Sequence, residues 1–139
     1  MTEPVAPLIS HLLYSAAGKL TLKQIGNGTC LIGGGWSSRQ HANGRLALDP
    51  GSLAANMAIA AATVPALAEV RIARSWPAIV NGTADWRPIL GEVPGRRGFF
   101  VVFFPWMGFT AGPMSARIVT DLMLSRKPSV DIARISALA

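Results

Sequence analysis

Residues 99–123, FFVVFFPWMGFTAGPMSARIVTDLM, hold the one arrangement here whose residue types and spacing suggest chemistry. An apolar run of strand length ends at Pro105, a short loop carries Gly108 and Gly112, and an amphipathic segment follows Pro113. A helix N-terminus leaves backbone N–H groups without intrahelical partners and carries the positive end of the helix dipole. Such amides stabilise negative charge that develops beside them, and Gly108 lets a ligand come close to the main chain. Phe109 and Thr110 would supply amides, while Pro113, expected in the first turn, gives up an N–H that had no partner to lose. A plain strand–loop–helix crossover, with glycines for tight turning, has the same pattern, and the residues alone leave both readings open.

Other reactive side chains are few. Cys30 is the single cysteine, so no internal disulfide forms, and with only His11 and His41 beside it no metal-ligand spacing exists. Cys30 falls within a strand-like run and is expected to behave as a small buried hydrophobe, with both histidines in loops. The triplet Asn-Gly-Thr at Asn27 and Asn81 matches a glycosylation acceptor; without a secretion signal both read as turns.

The elements that must position these residues follow from periodicity. KLTLKQI (19–25) alternates, with Leu20 and Leu22 on one side and Lys19, Thr21 and Lys23 on the other. TCLIGGG (29–35) follows across Gly26-Asn27-Gly28, which predicts a β-hairpin. Its Gly33-Gly34-Gly35 exit permits either a close backbone approach or flexibility. Residues 37–51 read as loop, with turns at Asn43-Gly44 and Asp49-Pro50-Gly51. Ser52 is the expected cap of a helix that stops near Pro65. Val70 and Ile72 alternate with Arg71 and Ala73, so 69–80 reads as a strand. Turn residues fill 81–98, and a buried strand is expected at 99–104. A helix from about 113 to 125 would line one side with Met114, Ile118, Leu122 and Ser125, with Val119 and Met123 beside them, and turn Arg117, Thr120 and Asp121 away. That order describes an α+β protein.

Composition narrows the function classes. Of the 139 residues, 50% are hydrophobic and only 14% charged, a surplus suited to a surface that a partner covers. Apolar stretches at 53–67 and 99–107 fall short of the ~20 residues of a membrane helix and contain Pro65 and Pro105. The N-terminus has no basic region of the signal-peptide kind, so a cytoplasmic location is expected. The net charge of +6 comes from scattered basic residues with no aromatic interleaving, which argues against nucleic acid.

Three stretches, taken in order, resemble the D-amino-acid oxidase family of FAD-dependent oxidoreductases. LTLKQIGNGTCLIGGGW (20–36) resembles the strand–turn–strand that enters the family's substrate domain. SWPAIVNGTADWRPILGEVPGRRGFFVV (75–102) matches a run of tryptophan, Thr-x-Asp, Pro-x-x-Gly and apolar strand, here Trp76, Thr83-Ala84-Asp85 and Pro88-Ile89-Leu90-Gly91. WMGFTAGPMSARIVTDLM (106–123) resembles the flavin-side loop and final helix, through Gly108, Gly112 and Pro113. The first stretch is most similar to opine, sarcosine and hydroxyproline oxidoreductase subunits.

The resemblance implies an amine or amino-acid dehydrogenase that oxidises a C–N bond, with hydride passing to flavin N5 and an imine hydrolysing afterwards. Gly108, Phe109 and Thr110 would meet the pyrimidine rim of FAD. Trp36 would wall the site of a small amine substrate or cap the hairpin, and Trp106 would face substrate or pack. Lys23 reads as solvated, Thr83 and Asp85 as turn formers, and no general base stands out. The GxGxxG fingerprint of an FAD pyrophosphate site is absent from the sequence. Residues 1–92 would then be part of the substrate domain, with its sheet, hairpin and helix. Residues 93–139 would be the last strand, flavin-side loop and helix of the FAD domain. An N-terminal FAD-domain piece or partner subunits would complete a homo- or hetero-oligomer, the chain alone being inactive. No Arg or Lys lies between Trp76 and Asp85, where Val80 stands at the family's carboxylate-clamping arginine, and Phe103-Phe104-Pro105-Trp106 replaces a second basic anchor. A non-catalytic interaction or regulatory subunit of the same fold is the other reading.

Overall fold

A computed structural model describes residues 1–133 and divides the chain into two compact units, Met1–Ala78 and Ile79–Ala139. The end of the expected 93–139 segment, residues 134–139, lies outside the described residues.

In the first unit, strands β1 (Leu13–Ser15), β2 (Leu20–Gln24) and β3 (Cys30–Gly33) form an antiparallel sheet in that order. The β2–β3 hairpin is the expected one, in a register that pairs Leu22 with Ile32 and Gln24 with Cys30. Its turn closes because Gly28 takes a φ of 87° and the Asn27 side chain accepts from the Thr29 amide at 3.0 Å. Alternation then buries Leu20, Leu22 and Cys30. A small hairpin of β4 (Arg39–Gln40) and β5 (Leu46–Ala47) forms within the segment read as loop. Helix α1 (Pro50–Thr63) starts one turn earlier than expected. Asp49, not Ser52, is its cap and accepts from the Ser52 amide at 2.9 Å, with Pro50 in the first turn. The helix stops at Val64 before Pro65, as the sequence predicts.

Leu20, Leu22, Cys30, Ala60 and Leu67 form one buried cluster, packed by Val5, Leu8, Ile9, Leu13, Ile32, Ile59, Val64 and Val70. Gln24 fastens the proline-bearing N-terminal segment to it. Its side-chain oxygen accepts from Leu8 N at 2.7 Å, and its NH₂ donates to the Val5, Ala6 and Gly28 carbonyls. Nothing in the alternation signals that role. The strand expected at 69–80 does not form. Ile72 makes one isolated bridge to Thr2, and the chain beyond it has no strand partner among the described residues.

In the second unit, β6 (Ile89–Glu92) pairs antiparallel with β7 (Phe100–Phe103), placing Leu90 opposite Val102, and α2 (Gly108–Met123) packs on the hairpin. β7 is less buried than expected: Val102 is 48% exposed. Leu90 and Ile118 are the buried aliphatic side chains here. No helix among the described residues is long and apolar enough to cross a membrane.

Candidate functional site: the N-terminus of α2

The approach to α2 is tightly drawn. Pro105 is buried, its carbonyl accepts from Met107 N at 2.6 Å, and Trp106 between them takes a φ of 62°. A left-handed φ is unfavourable for a bulky L-residue and costs about 1–3 kcal/mol. The first helical bond follows at once, from Ala111 N to Met107 O at 2.8 Å.

The helix therefore begins at Gly108, five residues before the expected start at 113, and Pro113 lies inside it. The correction has a physical reason. A proline in the second turn removes a single intrahelical bond, to the Phe109 carbonyl, and glycine is tolerated near a helix end. The sequence signals that read as a loop are thus the first two turns of the helix. Met107, the cap residue, makes no side-chain cap bond. The amides of Gly108, Phe109 and Thr110 have no protein acceptor among the described residues, and all three residues are exposed, Phe109 completely. No acidic side chain occupies the first turn.

Glycine at 108 and 112 is not demanded by the chain's own packing. Apart from the helix's own backbone and the adjacent residues, a Cβ at either position would meet no heavy atom within 4 Å, and neither has a positive φ. That side of the helix start is open.

Further along α2, the buried face is Ser115, Ile118 and Asp121. Met114 and Met123, expected inside, are 50% and 61% exposed, and Asp121, expected outside, is buried with Arg117 Nε at 3.4 Å. The expected helix end at 125 also gives way: Met123 is the last residue, and Ser125 has a φ of 54°.

Trp36 lies in the first unit, where the triple glycine serves close approach. A Cβ at Gly34 would fall 1.5 Å from the Lys19 carbonyl oxygen, and Gly34 has a φ of 150°. The same carbonyl accepts from Trp36 Nε1 at 2.8 Å, and Lys19 Nζ stands 5.6 Å from the indole centroid. Trp36 thereby caps the sheet end, half-buried. In the second unit Trp106 is 46% exposed. Thr83 and Asp85 make the turn bonds expected of them: Thr83 Oγ1 donates to Arg87 O at 2.7 Å, and Asp85 accepts from Arg87 N at 3.0 Å. The Arg87 amide holds the Asp85 carboxyl below its ordinary value. Lys23 and both histidines are exposed, Cys30 is fully buried, and no metal-holding cluster occurs among the described residues.

The sequence matches the family described as FAD dependent oxidoreductase over residues 3–122. It is 29% identical over 142 residues to a glycine oxidase of Geobacillus kaustophilus (strain HTA426), covering 98% of this chain and 35% of that protein. A glycine oxidase of Pseudomonas aeruginosa is 32% identical over 77 residues, 55% of this chain and 21% of the relative. The crystal structure of glycine oxidase from Geobacillus kaustophilus superposes with a TM-score of 0.71 at 25% identity, over 99% of this chain and 36% of that one. The chain spans about a third or less of the length of these relatives. It belongs to the FAD-dependent oxidoreductase family to which D-amino-acid oxidase gives its name.

Proposed function

We propose that this chain is the C-terminal portion or subunit of an FAD-dependent enzyme that oxidises the C–N bond of an amine or amino-acid-derived substrate, and that the start of α2 meets the flavin. The observation that carries the reading is the bare helix N-terminus: three exposed amides with no acceptor and no side-chain cap, beside glycines the fold does not otherwise require. When bound, FAD supplies the hydride acceptor. The chain's own share is to place the Gly108, Phe109 and Thr110 amides and the dipole of α2 where negative charge accumulates at the electron-rich rim of the ring. Water competes poorly with fixed donors, because their orientation is set in advance by the turn at Trp106. The family relationship supports FAD as the ligand, and the donor set suits a ring edge. It does not suit a pyrophosphate, for which the sequence has no GxGxxG.

The phosphate grip is therefore assigned to other polypeptide, either an N-terminal FAD-domain piece or a partner subunit. Residues 1–92 are assigned to the substrate domain and 93–139 to the FAD domain. Trp106 is assigned a substrate-facing role through its exposed indole, and Trp36 one as an aromatic wall. Without a cation between Trp76 and Asp85, a substrate carboxylate has no donor from that segment, which favours an amine or a modified amino acid.

One surface favours the second reading, a non-catalytic interaction subunit. The stripe of α2 formed by Phe109, Pro113, Ala116 and Thr120 is exposed and uncharged, with Arg117 beside it, a face suited to being covered by protein. Co-expression with an N-terminal FAD-domain polypeptide separates the two. A complex with a visible flavin spectrum that is bleached by an amine supports the enzyme. A colourless stable complex supports the interaction subunit.

A further inference from the structure

We infer that the Asn81–Gly82 bond is the chain's site of spontaneous modification, converting through a succinimide to aspartate and isoaspartate. The inference is independent of the flavin role. The chain has three Asn-Gly pairs, at Asn27, Asn43 and Asn81, each with the small following residue that allows ring closure. Two are held shut by turns. Asn27 Oδ1 accepts from Thr29 N at 3.0 Å while Gly28 N donates to Ile25 O at 2.8 Å. Asn43 Oδ1 accepts from Arg45 N at 3.1 Å while Gly44 N donates to His41 O at 2.9 Å. In both, the attacking nitrogen is bonded and the side chain is turned to another amide.

Asn81–Gly82 differs in each respect. It precedes the Thr83–Trp86 turn instead of forming it, belongs to no strand or helix, and both residues are exposed. Neither the Asn81 side chain nor the Gly82 amide has a hydrogen-bond partner among the described residues. One face of Gly82 lies against the Trp86 ring, 3.2 Å from where a Cβ would stand, and the amide is unbonded among the described residues.

The chemistry balances with water as the only co-reactant. Hydroxide takes the Gly82 amide proton, and the nitrogen attacks Asn81 Cγ. The Cγ–Nδ2 bond breaks and ammonia leaves. Water then opens the five-membered ring at either carbonyl, giving aspartate or isoaspartate and lowering the net charge from +6 by one. At Asn27 and Asn43 two hydrogen bonds must open first, and one such bond, at about 1 kcal/mol net, already suppresses the reactive population several-fold.

The test incubates the full chain at mildly alkaline pH, natively and in urea, and maps the three peptides by mass and by isoaspartate content. Each native rate is divided by the same site's rate in urea, which removes local sequence effects. The expected ratio for Asn81 is at least about tenfold above those for Asn27 and Asn43, the rate rises with hydroxide, and Asn81→Gln abolishes the main product. Equal ratios at the three sites, or Asn43 leading, would overturn the proposal.

Discussion

In Met1–Ala78, Leu20, Leu22, Cys30, Ala60 and Leu67 touch in one cluster beneath three strands and a helix, ringed by further aliphatic side chains. In Ile79–Ala139 the described residues bury two aliphatic side chains, Leu90 and Ile118, while Trp86, Phe99, Trp106, Phe109 and Met123 are each 46% exposed or more. Both regions pair their strands locally. They differ in whether apolar surface is removed from water, at about 25 cal/mol per Å² the dominant favourable contribution to folding. A two-stranded hairpin is marginal by itself, and the second region's hairpin has only α2 packed on it among the described residues. The first region has a buried cluster of its own, and the second leaves more of its large apolar side chains in water. The chain spans about a third of the length of the glycine oxidase relative.

The sharpest way to break the contrast is Gly34→Ala. The new Cβ would lie 1.5 Å from the Lys19 carbonyl oxygen, a backbone atom that cannot swing aside. We expect destabilisation beyond about 3 kcal/mol in the first region, read by urea melts, with little change in far-ultraviolet signal from α2. If Gly34→Ala melts like the parent, the close approach at the sheet end is not what the triple glycine serves.

A smaller, pH-dependent effect comes from the carboxylates that organise each region. The Ser52 amide, and after it the Arg39 side chain, hold Asp49 below 3.8, and the Arg87 amide does the same for Asp85. A depressed folded value means that each contributes stability above about pH 4 and loses it as pH falls through the folded value. Asp49→Asn should flatten the acid limb of the α1 melt, and Asp85→Asn that of the turn before β6. An unchanged acid limb in Asp49→Asn would show that the cap bond is not formed in solution.

The smallest expected effect on stability is at Phe109. Because it is 100% exposed, Phe109→Ser should alter the stability of the isolated chain by no more than about 0.5 kcal/mol. The same change should weaken association with an FAD-domain polypeptide in a pull-down. A large loss of stability would mean that the second region has a core of its own.

How much was legible follows the same divide. The β2–β3 hairpin was readable because Leu20 and Leu22 alternate with polar residues and Gly28 supplies the left-handed turn. The end of α1 was readable because Pro65 cannot continue it. The alternation at 69–80 describes a segment fit for a sheet, but only residues 71–74 find backbone partners in another segment, residues 1–3, too short a pairing to make a strand. The start of α2 was misread because glycine and proline signal a break only when nothing else holds the backbone, whereas Met107 and Ala111 close the turn around them. The family, and FAD with it, could be read from the order of three short patterns. Bare amides at Phe109 and Thr110 are expected from the strand–loop–helix pattern, but the register of the helix start, which decides which amides are first, is not.

Those donors give the most direct test of the flavin-facing role. Amide hydrogen exchange across Gly108–Thr110 should be fast in the chain alone and slow at least tenfold when it joins an FAD-domain polypeptide carrying flavin, but not when that partner is stripped of FAD. Protection already present in the isolated chain, or equal protection with and without the flavin, would contradict it.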